Sequence, residues 1–129
     1  MKKYLVFGSI LLLFSCKKKY EEKAGDFIGG ELTASGTYED TLTFNLVPAT
    51  YSLVYYQPSR TYGIISSTGN LPEITFARKE FKDNNATKAG VSGGVGGWDV
   101  TLEGNKLSVV YENFTFSSWN TIAFDGEKQ

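Results

Sequence analysis

Apolar and polar residues alternate with a period of two along most of this chain, the spacing of strands that bury one face. Thr41-Leu42-Thr43-Phe44-Asn45-Leu46 sets Leu42, Phe44 and Leu46 on one side, and Pro48 is expected to break that strand. Tyr51 to Tyr56 reads as a second run, with Tyr51, Leu53 and Tyr55 aligned. Tyr62 to Ser66 and Glu73 to Phe81 follow, the latter with Ile74 and Phe76 on one face. Trp98, Val100 and Leu102 share a face of the next run, and Leu107, Val109 and Tyr111 share a face of the one after it. Glu103-Gly104-Asn105 between them is the clearest hairpin signal. Phe27 to Thr33 and Trp119 to Phe124 form the first and last runs, expected to pair with each other. Pro58, Gly69-Asn70, Asp83-Asn84-Asn85 and Asp125-Gly126 supply the punctuation. No stretch of ten to twelve residues carries apolar positions at helical spacing. The pattern predicts an all-β domain, a small antiparallel β-barrel or sandwich of about seven to nine strands. The Leu42/Phe44/Leu46 and Trp98/Val100/Leu102 faces are expected to meet inside it. A cavity lined by Phe44, Leu53 and Trp98 would indicate ligand binding; a filled core would indicate a structural role.

The first fifteen residues follow another rule. Lys2 and Lys3 precede an uncharged, largely apolar run from Tyr4 to Phe14, closed by Lys17, Lys18 and Lys19. That run has the length of a signal-peptide core and falls short of the ~20 residues needed to span a bilayer. Leu13-Phe14-Ser15-Cys16 resembles the lipobox of bacterial lipoprotein signal peptides. The resemblance implies cleavage before Cys16, a diacylglycerol on its sulfur and acylation of the new amino group, two or more chains being what stable anchoring requires. It divides the chain into a signal peptide (1–15), a lipidated Cys16 with a polar tether (16–24) and one β domain (25–129). The lysines of the tether are placed to meet anionic headgroups. Lys17 stands where the enterobacterial sorting pattern has an aspartate for inner-membrane retention. The implied location is therefore the cell envelope, at the outer membrane.

Composition removes several chemistries. The chain has no histidine and one cysteine. Ser-His-Asp and Cys-His catalysis and imidazole zinc sites are thus absent, and no intrachain disulfide can form. From Gly25 onward seven Lys and Arg stand against twelve Asp and Glu, a net charge of −5. With no basic patch, nucleic acid is not an expected partner. No cofactor, metal site or catalytic residue is expected, and the domain reads as non-enzymatic.

Asp26-Phe27-Ile28-Gly29-Gly30-Glu31-Leu32, Gly36-Thr37-Tyr38 before Thr41-Leu42-Thr43-Phe44, and the ending Thr121 to Lys128 resemble small lipocalin-like, or calycin-like, lipoproteins of the Bacteroidota. The chain departs from that pattern in having no tryptophan in its opening strand and no arginine in its last. The resemblance implies a barrel able to hold a small hydrophobic molecule, and it transfers no binding residue.

Other features are weighed individually. Tyr55, Tyr56 and Tyr62 are candidate ligand-binding residues, as an aromatic platform for an apolar or glycan ligand, against the plainer reading of core packing. Gly90 to Gly97 lacks the Lys-Ser or Lys-Thr of a P-loop and reads as a loop or bulged strand. Glu21-Glu22 and Glu39-Asp40 read as solvated carboxylates, and Asp83-Asn84-Asn85 as a turn rather than a calcium site. Asp40-Thr41-Leu42 resembles the short O-glycosylation site of exported Bacteroidota proteins, with an ordinary strand threonine as the simpler reading of Thr41. The expected function is a membrane-anchored envelope lipoprotein whose β domain binds a small apolar or glycan ligand. The alternative is a structural or accessory subunit of an outer-membrane protein assembly.

Overall fold

The computed structural model describes residues 19–37, 39–40, 42–69, 71–81, 83–89 and 95–129. The protein is all-β, with eight antiparallel strands in one nearly closed, barrel-shaped sheet. The strands are β1 (Gly25–Thr37), β2 (Thr43–Tyr56), β3 (Thr61–Thr68), β4 (Ile74–Ala77), β5 (Asn85–Ala89), β6 (Val95–Glu103), β7 (Lys106–Phe114) and β8 (Ser118–Lys128). Their order in space is β4-β3-β2-β1-β8-β7-β6-β5. The chain therefore meanders up and down, β8 closes on β1, and the unpaired seam falls between β4 and β5. These edge strands are the shortest of the eight, four and five residues, which limits the exposed backbone. Lys88 of β5 reaches across the seam, its Nζ donating to the Thr75 carbonyl of β4 at 3.1 Å.

The hairpin at Gly104-Asn105 forms as expected, with Glu103 paired to Lys106 and Gly104 in the left-handed region at φ 58°. Asp83 and Asn84 form the turn before β5. Two spans differ from the sequence pattern. Glu73–Phe81 yields strand only over Ile74–Ala77, because the chain turns at Arg78–Glu80. Asn85–Ala89 is a strand the alternation did not reveal, since Thr87 and Lys88 give it little apolar rhythm.

The core fills the lower part of the barrel, the end at which Gly25, Tyr56, Thr61, Glu103 and Lys128 lie. Phe27, Tyr51, Leu53, Tyr62, Ile64, Val100, Leu107, Val109 and Phe124 are almost completely buried there. Val100 and Leu102 point inward as their alternation predicts, and Trp98 packs partly buried at the margin of the same cluster. Residues 19–24, part of the polar tether, lie against this end. Tyr20 stacks on Tyr55 with ring centroids 5.5 Å apart and accepts a 3.0 Å hydrogen bond from the Tyr62 hydroxyl at its carbonyl. Arg78 sits over the Tyr20 ring, and Lys23 over Phe81. Aromatic faces and side-chain stems of this charged segment pack against that end of the barrel.

One expected core face is overturned. Leu42, Phe44 and Leu46 do not enter the barrel: Phe44 is 60% and Leu46 76% exposed, and Leu42 is exposed beside them. Pro48 does not end the strand. β2 runs unbroken through it, in continuous register with β1 from Leu53 opposite Gly25 to Thr43 opposite Ser35. A continuous strand keeps one parity per face. Ala49, Tyr51, Leu53 and Tyr55 hold the inner face, so Phe44 and Leu46 face outward. The missing N–H of Pro48 is tolerated because pairing with β3 starts only at Thr50. Over residues 43–49 the β2 edge away from β1 has no ladder partner among the described residues. Because Phe44 points outward and Leu53 lies deep in the packing, Phe44, Leu53 and Trp98 do not line a common cavity.

Candidate functional site

The register assigns the inner face row by row. Glu31 of β1 lies opposite Val47 and Phe124, and Phe124 lies opposite Val109. The next row toward the upper end runs Asn45, Thr33, Ile122, Tyr111, Trp98 and Lys88 across six strands. The row beyond holds Ser35, Asn120 and Asn113. Below Glu31 the interior is apolar and filled. From Glu31 upward it carries a carboxylate, hydroxyls, amides and an aromatic pair. This upper interior meets solvent: Val47 and Asn45 belong to inward rows yet Val47 is 47% exposed and Asn45 is exposed.

Glu31 is the charged residue that the described part of the barrel buries, at 8% exposure. Its Oε1 accepts a 3.1 Å hydrogen bond from Thr33 Oγ1. No lysine or arginine pairs with it among the described residues. Glu31 is also felt by its neighbour Tyr51. Burial raises the Tyr51 pKa well above its ordinary value, and Glu31 and Glu73 push it further. The Tyr51 hydroxyl donates to the Pro72 carbonyl, fixing the β3–β4 connection beside Glu31. Higher up, Asn120 Oδ1 is buried without a hydrogen-bond partner among the described residues. Trp98 and Tyr111 pack with ring centroids 4.6 Å apart. The site thus holds a carboxylate among amides, hydroxyls, an indole and a phenol that can donate hydrogen bonds. Among the described residues of its rows Lys88 is the cation, and its Nζ donates one hydrogen bond across the seam.

A carboxylate enclosed this way has given up most of its hydration, and the described residues return one hydroxyl hydrogen bond. Glu31→Leu should therefore raise stability, by about 1–3 kcal/mol on the scale of buried-charge replacements. Urea titration of the two proteins tests this. A destabilised variant would show that Glu31 supports the fold and serves no site.

The tyrosines singled out from the sequence do not assemble into one platform. Tyr55 and Tyr62 lie inside the lower core with ring centroids 5.0 Å apart. Tyr62 also touches Phe76 and Phe81, and Arg78 donates to the Tyr55 hydroxyl. Burial pushes the Tyr62 pKa up to about 12, so its phenol stays protonated and donates to Tyr20. Tyr56 points the other way, to the outer surface, where its ring lies over Gly63. The first two are core residues and the third is exposed and separate. Glu31 and Asn120 carried a faint sequence signal: each is a polar residue on a parity that its strand otherwise gives to the interior. Cys16 and Thr41 lie outside the described residues.

The outer wall offers one depression of about 480 Å³ across β6, β7, β8 and β1, lined by Thr101, Ser108, Asp125 and Glu127 among others. Its polar groups satisfy one another: Ser108 donates to Asp125, and Lys106 lies 3.9 Å from Glu127. Among the described residues no group of three metal-ligating side chains occurs, and no helix is long and apolar enough to cross a membrane. No protein-family model, curated protein or solved structure matches the chain.

Proposed function

We propose that this protein is a lipid-anchored lipoprotein of the bacterial envelope, at the outer membrane, whose barrel binds a small apolar or glycan ligand at its upper end without catalysing a reaction. The observation that carries the binding half is Glu31, a carboxylate enclosed by the barrel at the boundary between the filled core and the polar upper interior, with no cationic partner among the described residues. A protein keeps such a group at a cost to stability when something else engages it. The anchor half rests on Leu13-Phe14-Ser15-Cys16 after an apolar core. On this reading the three peptide steps from Cys16 to Lys19 reach at most ~11 Å. The end against which residues 19–24 pack then faces the bilayer, and the upper end faces away from it.

Two measurements test the two halves. Cys16→Ser should abolish acylation and leave an unprocessed or released protein, and globomycin should make the wild-type precursor accumulate. A Cys16→Ser chain cut at the same place and still partitioning with membranes would overturn the anchor. Native mass spectrometry of the purified protein should find a small molecule retained by the wild type and lost in Glu31→Leu. A wild-type mass equal to that of the bare protein in every preparation would count against the binding role.

A second reading, a structural or accessory subunit of an outer-membrane assembly, is favoured by the β2 arm. Phe44, Leu46 and Val47 are exposed on both faces of a strand whose far edge is unpaired among the described residues. Exposed apolar side chains beside a free edge suit strand addition by a partner.

A further inference from the structure

The outer wall of the upper barrel is unlike the rest of the surface. The register fixes three outward rows across β2, β1, β8 and β7. Leu46, Leu32, Ala123 and Val110 form the first, and Phe44, Ala34, Thr121 and Glu112 the second. Gly36, Trp119 and Phe114 form the third, with the Trp119 ring over Gly36. The outward rows below carry charge instead, in Asp125, Glu127 and Lys106. Phe44 and Leu46 are exposed, and Phe116 in the β7–β8 turn stands wholly in water. The two phenylalanines alone leave on the order of 300 Å² of aromatic surface uncovered. That already matches the largest apolar patch of an ordinary monomer, roughly 300–600 Å². With the leucines and Trp119 the face approaches the ~800 Å² that each partner gives to a standard interface.

Shape and charge on this face choose its occupant. The large side chains Phe44 and Leu46 stand on one margin, β2. The middle strands present smaller groups, Ala34, Gly36, Thr121 and Ala123, and the β7 margin carries Glu112, with Asp99 of β6 beside it. A two-fold axis along the strands, between β1 and β8, sets the β2 margin of one copy against the β7 margin of the other. The protruding side chains then meet the lower middle, and the two acidic margins lie apart. An axis across the strands would bring those acidic margins together. A lipid surface finds no cation on this face: the described lysines and arginines lie at the lower end or on the seam, away from where anionic headgroups would meet the patch. We infer that the upper outer wall is an interface between two copies of this chain, packed side by side with both barrels pointing the same way. The inference stands apart from the anchor reading, with which its geometry agrees, since two copies held in one bilayer point the same way.

The test is disulfide cross-linking of the full chain in intact bacterial envelopes, with each product identified by its mass. Thr121→Cys, beside the axis, should give a product of twice the chain's mass, and Thr75→Cys, exposed on the far wall, should not. Co-expressed Phe44→Cys and Glu112→Cys chains, carrying different tags, should link to each other and not to themselves. Leu46→Asp should cut the Thr121→Cys yield about tenfold or more, since it puts an unpaired charge in the interface. It should leave the unfolding midpoint of the dilute, dissociated chain unchanged, because position 46 is open to water in the monomer. Leu46→Met should keep the yield. The wild type, whose single thiol is Cys16, should give no product. A product there would count against the anchor alone, and the series is then read in the Cys16→Ser background. Equal yields from Thr121→Cys and Thr75→Cys would overturn the interface. Phe44→Cys and Glu112→Cys chains each linked to their own kind would overturn the side-by-side arrangement. A Thr121→Cys product of another mass would assign the face to a different protein. No product, with tryptophan fluorescence quenched by brominated lipid, would assign it to the bilayer. Either result overturns the second copy.

Discussion

Phe124→Ala should cost about 3–5 kcal/mol in a denaturant titration, while Phe44→Ala should change stability by no more than about 0.5 kcal/mol. Both residues are phenylalanines in long strands of one sheet, so the contrast isolates position. Phe124 is buried on the inner face of β8, edge-on to Tyr51 with centroids 5.0 Å apart. Its ring fills the space over Gly126, where an added methyl would stand 2.3 Å from Cζ. Truncation removes that ring from a packed interior and leaves a void bounded by Tyr51 and its neighbours, which relax only in part. The loss is a large share of the ~5–15 kcal/mol that holds a small domain together. Phe44 already keeps 60% of its surface in water, so alanine there removes little burial and opens no cavity. Similar losses from both substitutions would mean that the outer face of the β2 arm is covered in solution.

Gly29→Ala should be at least as damaging as a core truncation, at about 3 kcal/mol or more, while Gly30→Ala should cost under about 1 kcal/mol. At position 29 a methyl would sit 1.8 Å from the carbonyl oxygen of Asp125 and 2.7 Å from the Gly126 Cα. Those are backbone atoms of β8 and cannot swing aside, so β1 and β8 must separate where the barrel closes. At position 30 the methyl points to the other face and meets Leu46 Cδ1 at 3.0 Å. Leu46 is an exposed, flexible side chain that yields. Thermal unfolding of the two variants gives the answer, and comparable midpoints would mean that the β1–β8 approach is looser than described.

Alternation alone identifies the inner faces of β6 and β7, because Trp98/Val100/Leu102 and Leu107/Val109 each lie in a strand bounded by clear turns. It also identifies Tyr51/Leu53/Tyr55. It misplaces Leu42/Phe44/Leu46, and the reason lies in the sequence itself. Those apolar positions are even and the tyrosine set is odd, so one unbroken strand cannot bury both. Treating Pro48 as a stop hides the conflict; recognising an edge position, where proline is harmless, exposes it. The candidate site was less legible. Glu31 and Asn120 become conspicuous only once register puts them inside, since a lone polar residue in a strand normally faces solvent. The three tyrosines drew notice through proximity in sequence, whereas packing divides them between the core and the outer surface.

The placement of the seam has a consequence for how the chain reaches this state. Closure joins β1 to β8, the first strand to the last, across about a hundred residues of sequence. Contacts of such separation form late and slowly, because the whole intervening loop must be ordered before they reward it. The opening strand must therefore wait, unsatisfied along one edge, until the last strand has emerged, and no shorter fragment can complete the cylinder in its absence. A chain with its gap between first and last strands would add each hairpin to a growing sheet and be finished on arrival. This one is committed only at the end, when its last strand pairs with its first.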